Sequence, residues 1–99
     1  MTERDLQKQV VEYLKEKNIF HFSIVPPSKR FMISGVKNSL PDIYALRNGV
    51  SIFIELKAKE YSKNHADRQQ RQFEVRKEII QNGGLAYLIT SLEELKEIL

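Results

Sequence analysis

The dipeptide Asn48-Gly49 constrains the fold of this chain more than any other feature of its sequence. It lies inside residues 41–57, between two runs of β-branched, aromatic and aliphatic residues. An Asn-Gly pair in this setting favours a type I′ turn, because both central residues of that turn need a positive φ. Residues 41–57 are therefore predicted to form a β-hairpin with a two-residue loop.

A two-residue loop also fixes how the two strands pair. The predicted pairs are Arg47 with Val50, Ala45 with Ile52, Ile43 with Ile54, and Asp42 with Glu55. Because side chains alternate across a strand, each strand presents two faces. The face predicted to join the core carries Ile43, Ala45, Ile52, Ile54 and Leu56, and the other face carries Asp42, Tyr44, Phe53, Glu55 and Lys57.

The second face is predicted to bring two carboxylates together. Asp42 and Glu55 would stand opposite each other with Cβ atoms about 4.5–5.5 Å apart, which is destabilising for like charges. A divalent cation between them would neutralise the repulsion, with Lys57 adding a positive charge or holding a water beside the metal. The alternative is a surface ladder in which Lys57 screens Glu55 and Asp42 only begins a strand. Spacing alone leaves both interpretations open.

The order Pro41-Asp42, twelve intervening residues, then Glu55-Leu56-Lys57 resembles the signature of the PD-(D/E)XK nuclease superfamily. The surroundings resemble its small VRR-NUC branch, the virus-type replication-repair nucleases. Further features follow in that family's order: Glu3, Leu6-Gln7, Tyr13-Leu14, Ser34-Gly35, Gln70, Phe73 and Gly83-Gly84. The chain departs from the family at Leu40, where members often carry Gly before Pro-Asp.

Length and composition limit the alternatives. Ninety-nine residues are predicted to form one domain, 1–99, and the absence of Cys excludes a disulfide scaffold or a thiolate metal site. The charged N-terminus is not followed by an apolar segment, and no apolar run approaches the length of a membrane span. We therefore expect a soluble intracellular protein of the cytoplasm or nucleoid.

The charge balance permits a nucleic-acid partner. Sixteen Lys and Arg stand against thirteen Asp and Glu, a formal charge of +3. If Glu3, Asp42 and Glu55 are committed to a metal, sixteen positive charges face ten negative ones, which is +6. Such an excess suits a phosphate backbone, although it is also common in proteins that bind no nucleic acid.

The remaining elements follow from periodicity and from capping signals, which include predicted capping boxes at Thr2–Asp5 and Ser91–Glu94. Helices are predicted over about 3–17, 67–81 and from 92 onward, and strands over 19–25 and 85–90, the latter parallel to the second hairpin strand. Together with the hairpin they give the order αβββαβα. This order matches the resemblance, which implies an α/β restriction-endonuclease-like core with a mixed central sheet flanked by helices.

Two polar residues have both a structural and a functional interpretation. Glu3 lies in the first helical turn, where the helix dipole favours acids, but the resemblance implies that it lends a carboxylate to the metal. Gln70 shares a helical face with Phe73 and is predicted to point to the sheet, where its amide needs a partner. The resemblance favours a role for Gln70 at the site, with the adjacent Gln69 as the alternative.

Basic residues outside the hairpin are predicted to contact phosphates. They are Lys29, Arg30, Lys37, Lys59, Lys63, Arg68 and Arg71. The first three lie in the loop 26–40, where Phe31 would either stack on DNA or, as we favour, tuck into the core. The two histidines, His21 in a strand and His65 in a polar loop, are interpreted as partly exposed or solvated residues.

The resemblance implies a magnesium- or manganese-dependent nuclease acting on DNA. Asp42, Glu55, the Leu56 carbonyl and Glu3 through a water would hold the metal, because oxygen ligands suit hard divalent cations. Lys57 would orient the attacking water or stabilise charge on the phosphate, and Gln70 would position water or substrate. The alternative is a catalytically silent module that binds nucleic acid or protein.

Small stand-alone proteins that the chain resembles suggest activity on four-way junctions or other branched DNA. A coordinated cut in two strands needs two sites, so a homodimer is expected. Residues 31–36 or the exposed side of the final helix would form the contact. Neither an organic cofactor nor a membrane is expected as a partner.

Overall fold

A computed structural model of the protein describes residues 2–24, 40–58 and 66–99. In this part of the chain the elements follow the predicted order αβββαβα. They are α1 (Glu3–Glu16), β1 (Phe20–Ser23), β2 (Ile43–Arg47), β3 (Val50–Leu56), α2 (Ala66–Gln81), β4 (Leu85–Ile89) and α3 (Leu92–Ile98). The protein is therefore a mixed α/β structure.

The four strands form one mixed sheet in the order β1-β2-β3-β4. β1 pairs with β2 and β2 with β3 in antiparallel fashion, whereas β3 and β4 are parallel. The parallel pair is joined through α2, because the chain must return to the same end of the sheet before β4 begins. The strand predicted over 85–90 is observed over Leu85–Ile89, and its predicted parallel pairing with the second hairpin strand is confirmed.

The hairpin turn has the predicted geometry. Asn48 has φ 52° and Gly49 has φ 81°, both in the left-handed region that a type I′ turn requires. Arg47 pairs with Val50, and the register continues to Ile43 opposite Ile54. Local backbone chemistry thus fixes which hairpin side chains face the core.

One sheet face carries the hydrophobic core together with α1 and α3. The buried residues that form it are Leu6, Val10, Leu14, Ile19, Ile43, Ala45, Ile52, Ile54, Leu56, Ile89 and Leu95. All five hairpin residues predicted for the core belong to this set. α2 lies on the opposite face, where it packs against β4 and contacts the end of β3.

Capping contacts hold the helix ends. In α1 the Thr2 hydroxyl accepts the Asp5 N–H, and the Asp5 carboxylate accepts the Thr2 N–H, both at 3.1 Å, which is the predicted capping box. α2 ends before Gly83, whose φ of 93° suits a glycine at the helix C-terminus. At α3 the Ser91 hydroxyl accepts the Glu94 N–H, but the Glu94 carboxylate accepts from Thr90 instead of closing a second box.

Within the described ranges, none of the helices combines the length and the apolar character that crossing a bilayer requires.

His21 is half-buried in β1, and its Nδ1 lies 2.7 Å from the Ile19 carbonyl oxygen. The interpretation of His21 as a partly exposed strand residue is confirmed.

Candidate functional site

Asp42 lies at the point where the chain enters β2. Its N–H donates to the Ile54 carbonyl at 3.0 Å, and its own carbonyl accepts the Ile24 N–H at 2.8 Å. Pro41 just before it is buried, and a proline at the start of a strand loses no ladder hydrogen bond. Backbone hydrogen bonds therefore fix Asp42 between Ile24, which directly follows β1, and β3.

The strand pairing changes at Asp42. Ile54 is the register partner of Ile43, yet its carbonyl also accepts the Asp42 N–H, so two successive residues share one partner. The described ladder therefore ends at Ile43, and Asp42 lies just before β2. The predicted register is confirmed from Ile43 to Val50, whereas the pairing of Asp42 with Glu55 lies beyond the described ladder and stays a prediction.

The Asp42 side chain reaches the neighbouring strand β3. Its Oδ2 accepts the Leu56 N–H at 2.8 Å, in the place where a longer β2 would have supplied a backbone carbonyl. A carboxylate that accepts a backbone N–H makes a charge-assisted hydrogen bond, which is stronger than a neutral one. The Asp42 carboxylate is thereby held against the peptide unit that joins Glu55 to Leu56.

Glu55 is a buried carboxylate on the α2 side of the sheet. Only 2% of its surface is exposed, and it alternates along β3 with the core residues Ile54 and Leu56. Its Oε1 accepts the Gln72 side-chain N–H at 2.5 Å. Because a carboxylate removed from water needs such donors, this bond stabilises Glu55 and fixes its orientation.

Gln72 is the α2 residue at the site, and the sequence-based choice of Gln70 is corrected here. Gln72 is 3% exposed, whereas Gln70 is exposed and only lies 3.4 Å from Glu74 Oε1 on its own helix. Phe73 is also exposed, so the predicted sheet-facing side of α2 was wrong. Gln69 is half-buried, and within the described part of the chain its side chain has no hydrogen-bond partner.

The signal for Gln72 was present in the sequence. Gln72 lies three residues before Val75 and seven before Ile79, which is the spacing of one helical face. Both apolar residues are half-buried in α2. Anchoring the helical face on Val75 and Ile79, and not on Phe73, would have identified Gln72.

Lys57 follows β3 directly. Its N–H donates to the Ile89 carbonyl at 3.0 Å, so the backbone stays tied to β4 beyond the end of the strand. Alternation then directs its side chain to the same face as Glu55. Lys57 is half-buried, which leaves part of its side chain accessible to a ligand at the site.

The other predicted site residues have varied positions. Glu3 is exposed in the first turn of α1. Among the residues that the structure describes, Asp, Glu and His side chains never gather in groups of three suited to a metal, so Glu3 does not join Asp42 and Glu55 in one. Arg71 is exposed on α2 beside Gln72. The side chains of Lys29, Arg30, Lys37, Lys59, Lys63 and Arg68 lie outside the described residues, as do Phe31 and His65.

The donors at the site fit a hard divalent cation. The two carboxylates offer only oxygen ligands, and the chain has no Cys. At Leu56 the backbone group in contact with Asp42 is the N–H, and a role for the Leu56 carbonyl stays a prediction. Mg²⁺ is usually bound through one or two protein carboxylates, with waters and substrate phosphates completing its coordination. The Asp42 and Glu55 carboxylates are of the ligand type that this ion uses.

No protein-family model matches the sequence, and no curated protein matches it either.

Proposed function

We propose that the protein is a Mg²⁺- or Mn²⁺-dependent nuclease that hydrolyses phosphodiester bonds in branched DNA, on a restriction-endonuclease-like core. The observation that carries the proposal is a pair of oriented carboxylates on the two hairpin strands. Asp42 accepts the Leu56 N–H, Glu55 accepts from Gln72, and Lys57 is next along the chain. Two oriented carboxylates beside a lysine form the chemical set that metal-assisted phosphodiester hydrolysis requires. The similarity of these residues to the VRR-NUC pattern supports the same assignment.

Asp42, Glu55 and the Leu56 carbonyl would hold the cation. When bound, the metal would polarise the phosphate and lower the pKa of a water. The hydrogen bonds from Leu56 N–H and Gln72 keep the two carboxylates in fixed directions before substrate arrives. Such preorganisation avoids reorganising the site at the moment of reaction.

Lys57 would act on the phosphate itself. In hydrolysis a water oxygen adds to phosphorus, one P–O ester bond breaks, and a proton from the water ends on the leaving oxygen. The Lys57 ammonium group would stabilise the negative charge that develops on the phosphate or orient the attacking water. Gln72 touches Glu55 and acts as a positioning residue for that carboxylate.

Nuclease assays test the proposal. Purified protein is incubated with branched, nicked and linear DNA in Mg²⁺, Mn²⁺ or EDTA, and cleavage is expected with either metal and not with EDTA. Lys57→Ala should lower the rate on the order of 10²–10³-fold, because it removes a contact to the reacting phosphate. The matched control is Lys15→Ala, an exposed lysine in the last turn of α1 across the sheet, which should cleave at the wild-type rate.

Two results would contradict the proposal. Wild-type turnover in the Lys57→Ala protein would remove Lys57 from the chemistry. Tight DNA binding without cleavage in any metal would favour the alternative, a binding module that retains the fold without catalysis.

A further inference from the structure

A row of aromatic side chains crosses three strands on the α2 side of the sheet. Phe22, Tyr44 and Phe53 are successive neighbours, since Phe22 pairs with Tyr44 and Tyr44 with Phe53. Their ring centroids are 5.0 and 5.1 Å apart. Phe20 extends the row along β1, with its ring 6.2 Å from that of Phe22. We name these four residues the aromatic row.

The aromatic row is open to solvent at its β1 end. Phe20 exposes 63% of its surface and Phe22 exposes 49%, because α2 packs over β4 and the end of β3. Tyr44 is half-buried, and its hydroxyl lies 2.8 Å from Ser51 Oγ, which holds the ring in place. Exposed aromatic residues that touch one another on a sheet face offer a ready surface for flat ligands.

The aromatic row adjoins the candidate site along two strands. Tyr44 follows Asp42 by two residues on the first hairpin strand, and Phe53 precedes Glu55 by two on the second. Two residues of a strand span about 6.8 Å, so a base stacked on the row keeps its neighbouring phosphate within reach of the carboxylates. Lys57 and the exposed Arg71 supply positive charge on the site side, whereas the row itself carries no charge.

We propose that the aromatic row binds unpaired nucleobases of a DNA strand whose phosphodiester backbone runs into the Asp42–Glu55 site. This inference rests on the proposed function and narrows its substrate to DNA with a single-stranded segment beside the cut. Proteins that bind single strands combine a basic track for the phosphates with aromatic side chains on which successive bases stack. Sheet-borne aromatic residues perform the same task in RNA-binding domains.

A single introduced tryptophan reports stacking directly, because the chain contains no Trp. The Phe22→Trp protein is titrated with a short oligothymidylate in EDTA, which blocks cleavage. Its indole emission should be quenched by the oligonucleotide. The matched control is Phe73→Trp, since Phe73 is 53% exposed on α2 and stands outside the row. Its emission should stay unchanged.

Affinity gives the second measurement. Fluorescence anisotropy with a labelled oligothymidylate should show that Phe22→Ala weakens binding by about 10-fold, within the range for loss of one stacked base. Binding of a blunt duplex should be the same as for the wild type, and Phe73→Ala should bind both DNAs normally. Far-UV circular dichroism establishes that the variants are folded, as expected for exposed positions.

Three outcomes would overturn the inference. They are equal quenching of both introduced tryptophans, undiminished oligonucleotide binding by Phe22→Ala, and a wild-type protein that does not bind the oligonucleotide. Light scattering tests whether the row instead contacts a second copy of the chain. That assignment would follow if the wild type forms a dimer, Phe22→Ala disrupts the dimer, and the wild type does not bind the oligonucleotide. These assays need no catalysis, so failure of the nuclease proposal leaves them interpretable. Conversely, absence of base stacking on the aromatic row together with metal-dependent cleavage would overturn this inference alone.

Discussion

At the scale of single residues, two hydrogen bonds decide how the site is built. Gln72 donates to the buried Glu55 carboxylate, and the Leu56 N–H donates to Asp42. Both bonds tie a carboxylate to a group that is itself fixed by secondary structure. Each therefore has a structural role that can be measured apart from any catalytic one.

Gln72→Leu removes one donor to the buried Glu55 carboxylate and should destabilise the protein by about 1–3 kcal/mol, because a buried charged group loses a hydrogen bond. Gln70→Leu is the matched control, and this exposed position should change stability by no more than about 0.5 kcal/mol. Urea unfolding measures both free energies. Equal destabilisation by the two substitutions would mean that Gln72 does not support Glu55.

Asp42→Asn and Asp42→Ala separate the structural role of Asp42 from its proposed chemical role. The Asn side-chain oxygen can still accept the Leu56 N–H, so the Asn protein should be more stable than the Ala protein by about 1 kcal/mol or more. Neither variant should cleave DNA, because both lack a carboxylate ligand. Melting temperatures and nuclease assays check the two expectations. Cleavage by the Asn variant would show that the Asp42 charge is unnecessary.

At the scale of elements, caps and turns set where helices and strands begin and end. The clearest case is α1, where hydrogen bonds from the Thr2 backbone N–H and hydroxyl hold the pKa of Asp5 below its ordinary value of 3.8. A carboxyl whose pKa is lowered in the folded state stabilises that state when ionised. This contribution is therefore present above pH 3.8 and is lost as the pH falls below it.

Asp5→Asn should reveal this pH dependence. Near neutral pH the wild type should melt at a higher temperature than the Asn protein, and the difference should shrink as the pH is lowered through 3.8. Thermal melts followed by circular dichroism at several pH values measure it. Thr2→Ala, which removes the hydroxyl of the same box, should reduce the effect of Asp5→Asn. A difference independent of pH would show that the Asp5 charge does not matter.

At the scale of the whole molecule, the order of the strands places the site at one end of the two central strands. β2 and β3 lie between β1 and β4, with α2 closing over the Glu55 end. The edge strand β1 leaves part of the aromatic row exposed beside it. One chain thus combines a candidate site with an exposed aromatic surface beside it. The described residues contain a single candidate site.

We expect the active unit to be a homodimer, because coordinated cuts in two DNA strands need two sites at fixed separation. Of the two surfaces predicted for the contact, residues 31–36 lie outside the described residues. The exposed side of α3 carries Glu93, Lys96 and Glu97, so a contact there should weaken with salt. Light scattering at micromolar concentration, at low and high salt, measures the stoichiometry. A monomer that nicks the strands of a cruciform plasmid independently would contradict this prediction.

Much of the fold could be predicted from the sequence because it depends on local rules. Asn48-Gly49 fixed the hairpin turn and register, since few residues adopt positive φ twice in succession. Strand alternation then assigned the core face, and the Thr2–Asp5 spacing marked the start of α1. These features involve residues close together in the chain, where backbone sterics and short hydrogen bonds decide the outcome.

The tertiary structure alone decided the details of the site. Successive helical residues differ by about 100° in direction, so only the packing of α2 on the sheet chose Gln72 over Gln70. Likewise, the hydrogen bond from the Leu56 N–H to the Asp42 carboxylate forms where the β2–β3 ladder ends, and residue spacing did not predict it. The sequence determined which residue types were available at the end of β3. Contacts between distant elements determined which of these side chains touch one another, because the direction of a side chain at the end of β3 depends on how whole elements pack.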